Sequence, residues 1–122
     1  MTSTELKQLA EWSAEFLGMS QCDSRLWWPN NIEYMPRLDD SELTFAFFEL
    51  DETAPILMHL GKREMTEKRG YFVRCDHYEN CHRVFIRSER DDSGGDWQLS
   101  PVFEDNENEY IAFWTAVREA LK

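Results

Sequence analysis

Apolar positions recur at helical spacing along the opening stretch. Leu6, Leu9, Ala10, Phe16 and Leu17 fall on one side, and Lys7, Glu11 and Glu15 on the other, the stripe of an amphipathic helix. Thr2 followed three residues later by Glu5 fits a capping box, and Gly18 fits a helix stop, so a helix is expected over 3–17. Between 19 and 38 the periodicity lapses and irregular chain is expected. Ile32 and Tyr34 alternate with Glu33 there as a short strand that Pro36 ends or confines to an edge. Asp39-Asp40-Ser41-Glu42 puts acids where the positive end of a helix would sit. Residues 43–50 fit two periods: Leu43, Phe47 and Leu50 are spaced for a helix, and Leu43, Phe45 and Phe47 for a strand. The acidic start favours the helix. Thr53-Ala54-Pro55 opens another, expected over 55–68 with Leu57, Met58, Leu60 and Met65, ending before Gly70.

The pattern then changes to β-branched and aromatic runs at 71–75 and 83–87, two strands separated by the polar stretch 76–82. Residues 91–96 have turn composition, and a third strand is expected over 97–103, with Pro101 marking an edge or bend. Asn106 with Glu109 reads as a helix start, and 107–121 places Ile111, Trp114, Val117 and Leu121 on one face. The expected fold is α+β: a small antiparallel sheet of three to four strands packed against N-terminal, central and C-terminal helices. At 122 residues the chain is expected to be a single domain, 1–122.

Composition sharpens this picture. Twenty-four Asp and Glu stand against 13 Lys and Arg, a net charge of −11, while aromatic residues reach 14%. Such aromatic content points to a packed core, not an acidic disordered tail. The charge argues against direct contact with nucleic-acid backbone. No apolar run approaches the length needed to span a bilayer, no secretory pattern follows Met1, and the three cysteines are an odd count, so a cytoplasmic setting with reduced thiols is expected. The charge is also uneven. Residues 62–90 carry +3, whereas 1–61 carry −8 and 91–122 carry −6.

Chemistry-bearing residues concentrate in one place. Cys75, His77, Cys81 and His82 are four zinc-capable side chains within eight residues, with Cys22 a distant fifth. Cys75 would pair with His77 and Cys81 with His82. Against zinc, the spacing between the cysteines is long, and adjacent Cys81 and His82 would point to opposite faces of a strand. A polar hairpin loop with two half-buried thiols is the favoured interpretation, so no metal and no cofactor is expected, with zinc on these four residues the alternative. No catalytic constellation stands out and no enzyme is expected. Trp27 and Trp28 could anchor a partner or cover the core. Acidic groups beside the helix starts (Asp39, Asp40 and Glu42, then Asp51 and Glu52, then Glu104, Asp105, Glu107 and Glu109) are the candidate partner-binding residues.

The opening Leu9-Ala10-Glu11-Trp12, with Phe16-Leu17-Gly18-Met19 and then Trp28-Pro29, resembles small phage and prophage accessory proteins of the phage ABA-sandwich type. The Asp39-Asp40 start and the closing 113–121 stretch from Phe113 and Trp114 to Leu121 resemble them too. The central stretch 51–96, with its Cys/His cluster, departs from that pattern. The resemblance implies a sheet between helices, a bacterial host cytoplasm, and action by binding a host protein, defence machinery included. Together with the charge, it leads us to expect an anti-CRISPR-like inhibitor that masks a basic, nucleic-acid-binding surface of a host protein. A toxin immunity protein and a zinc-binding interaction module built on loop 75–82 are the alternatives. The expected partner is thus a protein, with no membrane, and the chain itself would be a monomer or homodimer.

Overall fold

The structure, a computed structural model, describes residues 2–22, 26–29, 38–39, 43–88 and 102–122. In chain order the elements are α1 (Ser3–Phe16), β1 (Met19–Cys22), β2 (Leu26–Pro29), β3 (Leu38–Asp39), α2 (Leu43–Phe48), α3 (Ala54–Arg63), a π-helical turn (Glu64–Lys68), β4 (Tyr71–His77), β5 (His82–Ser88), β6 (Val102–Asn106) and α4 (Glu109–Ala120). The fold class is α+β as expected. Two units divide the chain, Met1–Leu57 and Met58–Lys122.

In Met1–Leu57 Thr2 caps α1 as expected, although Glu5 reaches back to the Thr2 hydroxyl and not to its backbone amide. The Thr2 hydroxyl accepts from the Glu5 amide at 3.2 Å and donates to the Glu5 carboxylate at 3.3 Å. Leu9, Ala10 and Ala14 are buried, and the buried Ser13 hydroxyl donates to the Leu9 carbonyl at 2.7 Å, so no polar atom is stranded on that face. Gly18 ends the turn after α1 at φ 72°, a conformation that disfavours a side chain. The irregular stretch expected from 19 contains instead a three-stranded antiparallel sheet, β1-β2-β3, with Met19 opposite Pro29 and Trp27 opposite Leu38. Its strands are only two to four residues long and show no clean alternation, which hid them from the pattern. The strand expected around Ile32 and Tyr34 lies outside the described residues. The ambiguity at 43–50 resolves as a helix. Leu43, Ala46, Phe47 and Phe48 are buried in α2, and Phe45 stands out at 48% exposure. Buried Thr53 donates its hydroxyl to the Ala46 carbonyl at 2.7 Å, tying the turn before α3 back to α2.

In Met58–Lys122 the helix expected to end near 68 does so, but its last turn widens to π-helix over Glu64–Lys68 with Met65 fully buried. Strands β4, β5 and β6 form an antiparallel sheet in sequence order. α4 packs on β5 and β6. Val84 and Ile86 of β5 are buried, as are Ala112, Phe113, Trp114, Ala116 and Val117 of α4. Ile111 and Leu121, expected on that same face, are only half-buried. The buried stripe is broader and rotated because α4 is covered from two sides, by the sheet and by α3. A Cβ added at Gly61 of α3 would stand 2.6 Å from the Trp114 ring and 2.8 Å from the Phe113 ring.

The sheet differs from expectation in two further ways. The third strand, expected over 97–103, is described as Val102–Asn106, with 97–101 outside the described residues. The cap of α4 is Asn108, not Asn106: its side-chain oxygen accepts from the Tyr110 and Ile111 amides at 2.9 and 3.1 Å. Asn106 serves one step earlier, accepting from the Asn108 amide at 2.9 Å. Among the described residues no helix is long and apolar enough to cross a membrane.

Candidate functional site

The β4–β5 hairpin is tighter than its sequence suggests. Pairing continues past the apolar runs through Asp76 opposite Arg83 to His77 opposite His82. Residues 78–81 alone make the turn, closed by the Tyr78 amide donating to the Cys81 carbonyl at 2.8 Å. Opposed residues of a ladder share a face, so the two imidazoles meet. Their Nδ1 atoms are 2.6 Å apart and the rings cross at 75° with centroids separated by 4.9 Å. A hydrogen bond between them requires one Nδ1 to donate and the other to accept.

A third group reaches the same point from another element. Glu109, the first residue of α4, brings Oε2 to 3.7 Å from His77 Nδ1. Its carboxylate is available because Asn108 already satisfies the first amides of the helix. The ligand-capable atoms of His77, His82 and Glu109 all lie within 4.8 Å of one another. The site opens to water, with the His77 side chain 57% exposed and that of Glu109 32%. Two imidazole nitrogens and a carboxylate oxygen form a donor set suited to a divalent metal of intermediate hardness.

The cysteines take other places. Cys75 shares the strand face of His77 two residues before it and is half-buried. Burial pushes its thiol up; the Lys62 ammonium opposes this, and Glu109 and Asp76 add to it. Cys81 lies at the end of the turn, where a hydrogen bond to Asp105 pushes its thiol up, helped by desolvation and the Asp105 charge and opposed by Arg83. Both environments favour the neutral thiol over the nucleophilic, metal-binding thiolate. The pairings expected from sequence, Cys75 with His77 and Cys81 with His82, give way to His77 with His82. Cys81 stays in the turn, beside Asp105 and Arg83, while His82 begins β5. Cys22 is on β1, and its side chain lies outside what the structure describes.

The acidic groups fall into several sets. Glu104 and Asp105 alternate along β6, half-buried and exposed, with exposed Glu107 following and Glu109 opening α4. The Glu104 carboxyl is pushed up by burial and then by the neighbouring charge of Glu119. Asp105 lies 3.4 Å from the Arg83 guanidinium. Asp51 and Glu52 are exposed in the turn before α3. Asp39 is on β3 and Trp27 and Trp28 are on β2, with side chains outside what is described; Asp40 and Glu42 lie outside the described residues altogether. On the sheet face turned away from α4, Arg87 lies 5.7 Å over the exposed Phe72 ring, and Arg74 pairs with Asp76 at 3.0 Å.

Sequence spacing brought out both histidines but assigned Glu109 only to partner binding. The signal that could have joined them is the opposite charge of Asp76 and Arg83, which suits facing positions of a ladder that runs on to His77 and His82. That extension carries the third strand, whose end delivers Glu109. No protein-family model, curated protein or solved structure matches the chain.

Proposed function

We propose that the chain is a small acidic binding protein of the phage accessory kind. It works in a bacterial cytoplasm as a monomer or homodimer, inhibiting a host protein by docking on or masking a basic surface that grips nucleic acid. Host defence machinery is the target class, in the manner of an anti-CRISPR protein. The observation that carries this is the β6–α4 junction. Acidic side chains are dense there: Asp105 and Glu107 are exposed, Glu104 lies half-buried near Glu119 on the other face of β6, and Glu109 opens α4. This local density of carboxylates adds to a net charge of −11, which steers the chain toward a cationic surface. A toxin immunity protein would use the same face on a different partner. The mechanism is occlusion, with no catalytic residue and no direct contact with nucleic acid.

The test immobilises the wild type and the triple variant Glu104→Lys, Asp105→Lys, Glu107→Lys, and captures partners from a bacterial host lysate at increasing salt. Wild type should retain a basic nucleic-acid-binding protein whose DNA or RNA binding falls when free wild type is added. The variant should lose it. Equal capture by both, or a captured partner whose nucleic-acid binding is untouched, would sink the proposal; capture of a toxin, neutralised on binding, would replace it with the immunity reading. Glu109 is left intact in the variant so that the histidine cluster is undisturbed.

A further inference from the structure

We infer that His77, His82 and Glu109 form a binding site for one divalent transition-metal ion of intermediate hardness, zinc foremost, at the tip of the β4–β5 hairpin. This goes beyond the docking activity and does not depend on it.

Three observations converge. The donors come from three elements, β4, β5 and α4, and each is held by a feature that needs no metal: the ladder pair for the histidines and the Asn108 cap for Glu109. The donor atoms already lie within 4.8 Å of one another before any ion is considered. The chemistry is selective as well. Two imidazoles disfavour magnesium and calcium, which take oxygen ligands, and suit zinc, cobalt, nickel and copper.

The geometry needs a small adjustment. Zinc holds imidazole nitrogens at about 2.0–2.1 Å, which separates two of them by about 3.3 Å in a tetrahedral shell. The present Nδ1–Nδ1 distance is 2.6 Å, so the rings must swing apart by about 0.7 Å. The exposed His77 ring is free to do so. Glu109 Oε2, at 3.7 Å from His77 Nδ1, is already near the spacing of two ligands on one ion. The ion takes the place of the single proton the two Nδ1 atoms share. That proton passes to Nε2 of its ring, or to water where Nε2 already carries one, so that both Nδ1 lone pairs face the metal. Three protein donors leave a fourth position for water. The cysteines are not donors in this arrangement.

Protein purified without a metal-affinity tag is titrated with Zn2+ by calorimetry and separately with Mg2+. Co2+ serves as the spectroscopic probe. Wild type should bind one Zn2+ per chain, ignore Mg2+, and unfold at higher temperature with Zn2+ present. The Co2+ complex should show visible d–d bands without a thiolate charge-transfer band. His77→Asn and His82→Asn should abolish binding, and Glu109→Gln should weaken it by roughly tenfold or more. His59→Asn, outside the cluster, and the double variant Cys75→Ser, Cys81→Ser should bind like wild type. Circular dichroism identifies the variants that remain folded, and the exposed His77 position makes His77→Asn the decisive one. The inference is overturned if wild type takes up no Zn2+, if folded His77→Asn binds as wild type does, or if the cysteine variant loses the ion.

Discussion

Glu104 shows how a single side chain can be kept against its own stability. It is on β6, half-buried, with Glu119 of α4 close enough to oppose its charge, and both effects raise its pKa above the usual carboxylate value. A folded-state pKa above the unfolded one contributes stability that is complete below the carboxylate range and is lost as pH rises through the folded value. At neutral pH the ionised side chain therefore works against the fold. Glu104→Gln is expected to raise the urea midpoint at neutral pH, with the difference closing as pH falls below the carboxylate range, while docking weakens. Chemical denaturation at several pH values measures the first effect. A destabilised Gln variant at neutral pH would show that the carboxylate has a compensating partner.

At the scale of elements, close approach between α3 and α4 rests on a residue that helix propensity disfavours. Replacing an interior helical Gly by Ala ordinarily stabilises by about 1 kcal/mol. At Gly61 the added methyl would meet the rings of Trp114 and Phe113 at 2.6 and 2.8 Å, and both side chains are fully buried. Interiors packed this closely cannot yield without strain, and overpacking costs about 1–3 kcal/mol. Gly61→Ala should therefore lower stability by up to about 2 kcal/mol, the net of those two effects, measured as a shift in denaturation midpoint. A gain in stability would mean that α3 can move off α4 freely. The same elements show what the sequence made legible. α1, with its Thr2 cap, could be read from local chemistry, as could the helix over 55–68 and the β4–β5 hairpin, because periodicity and capping act within a few residues. The β1–β2–β3 sheet could not, since strands this short are specified by their partners. The α4 stripe was read in part: Trp114 and Val117 are buried as expected, whereas Ile111 and Leu121 are half-buried, because a helix packed from two sides buries more than one face and sequence alone does not reveal the second neighbour. The site followed the same division. His77 and His82 were visible by spacing, whereas Glu109 joins them only through tertiary pairing.

For the whole molecule, a net charge of −11 spread as −8, +3 and −6 along the chain sets two effects against each other. Excess like charge opposes the compact state, and salt screens it over a Debye length of about 8 Å at 0.15 M ionic strength. Local pairs such as Arg74–Asp76 at 3.0 Å and Arg83–Asp105 at 3.4 Å are attractive and are weakened by the same salt. Exposed pairs of that kind contribute about 0–1 kcal/mol each, and their partners are 24–48% exposed. Eleven uncompensated charges should outweigh them. The thermal midpoint should therefore rise as sodium chloride increases from a few millimolar to about 0.15 M, where screening takes hold. The effect should disappear near the pI of about 4.6, where no net charge remains to screen. If the proposed function holds, docking on a basic partner should respond in the opposite sense, with slower association as salt rises. Calorimetric scans of the free chain and association rates with the captured partner, taken in the same buffers, separate the two. A midpoint that falls with salt would show that local pairing, not excess negative charge, dominates the electrostatics of the fold. The acidic surface would then cost the fold little, and the case that it is retained for binding would lose its physical basis.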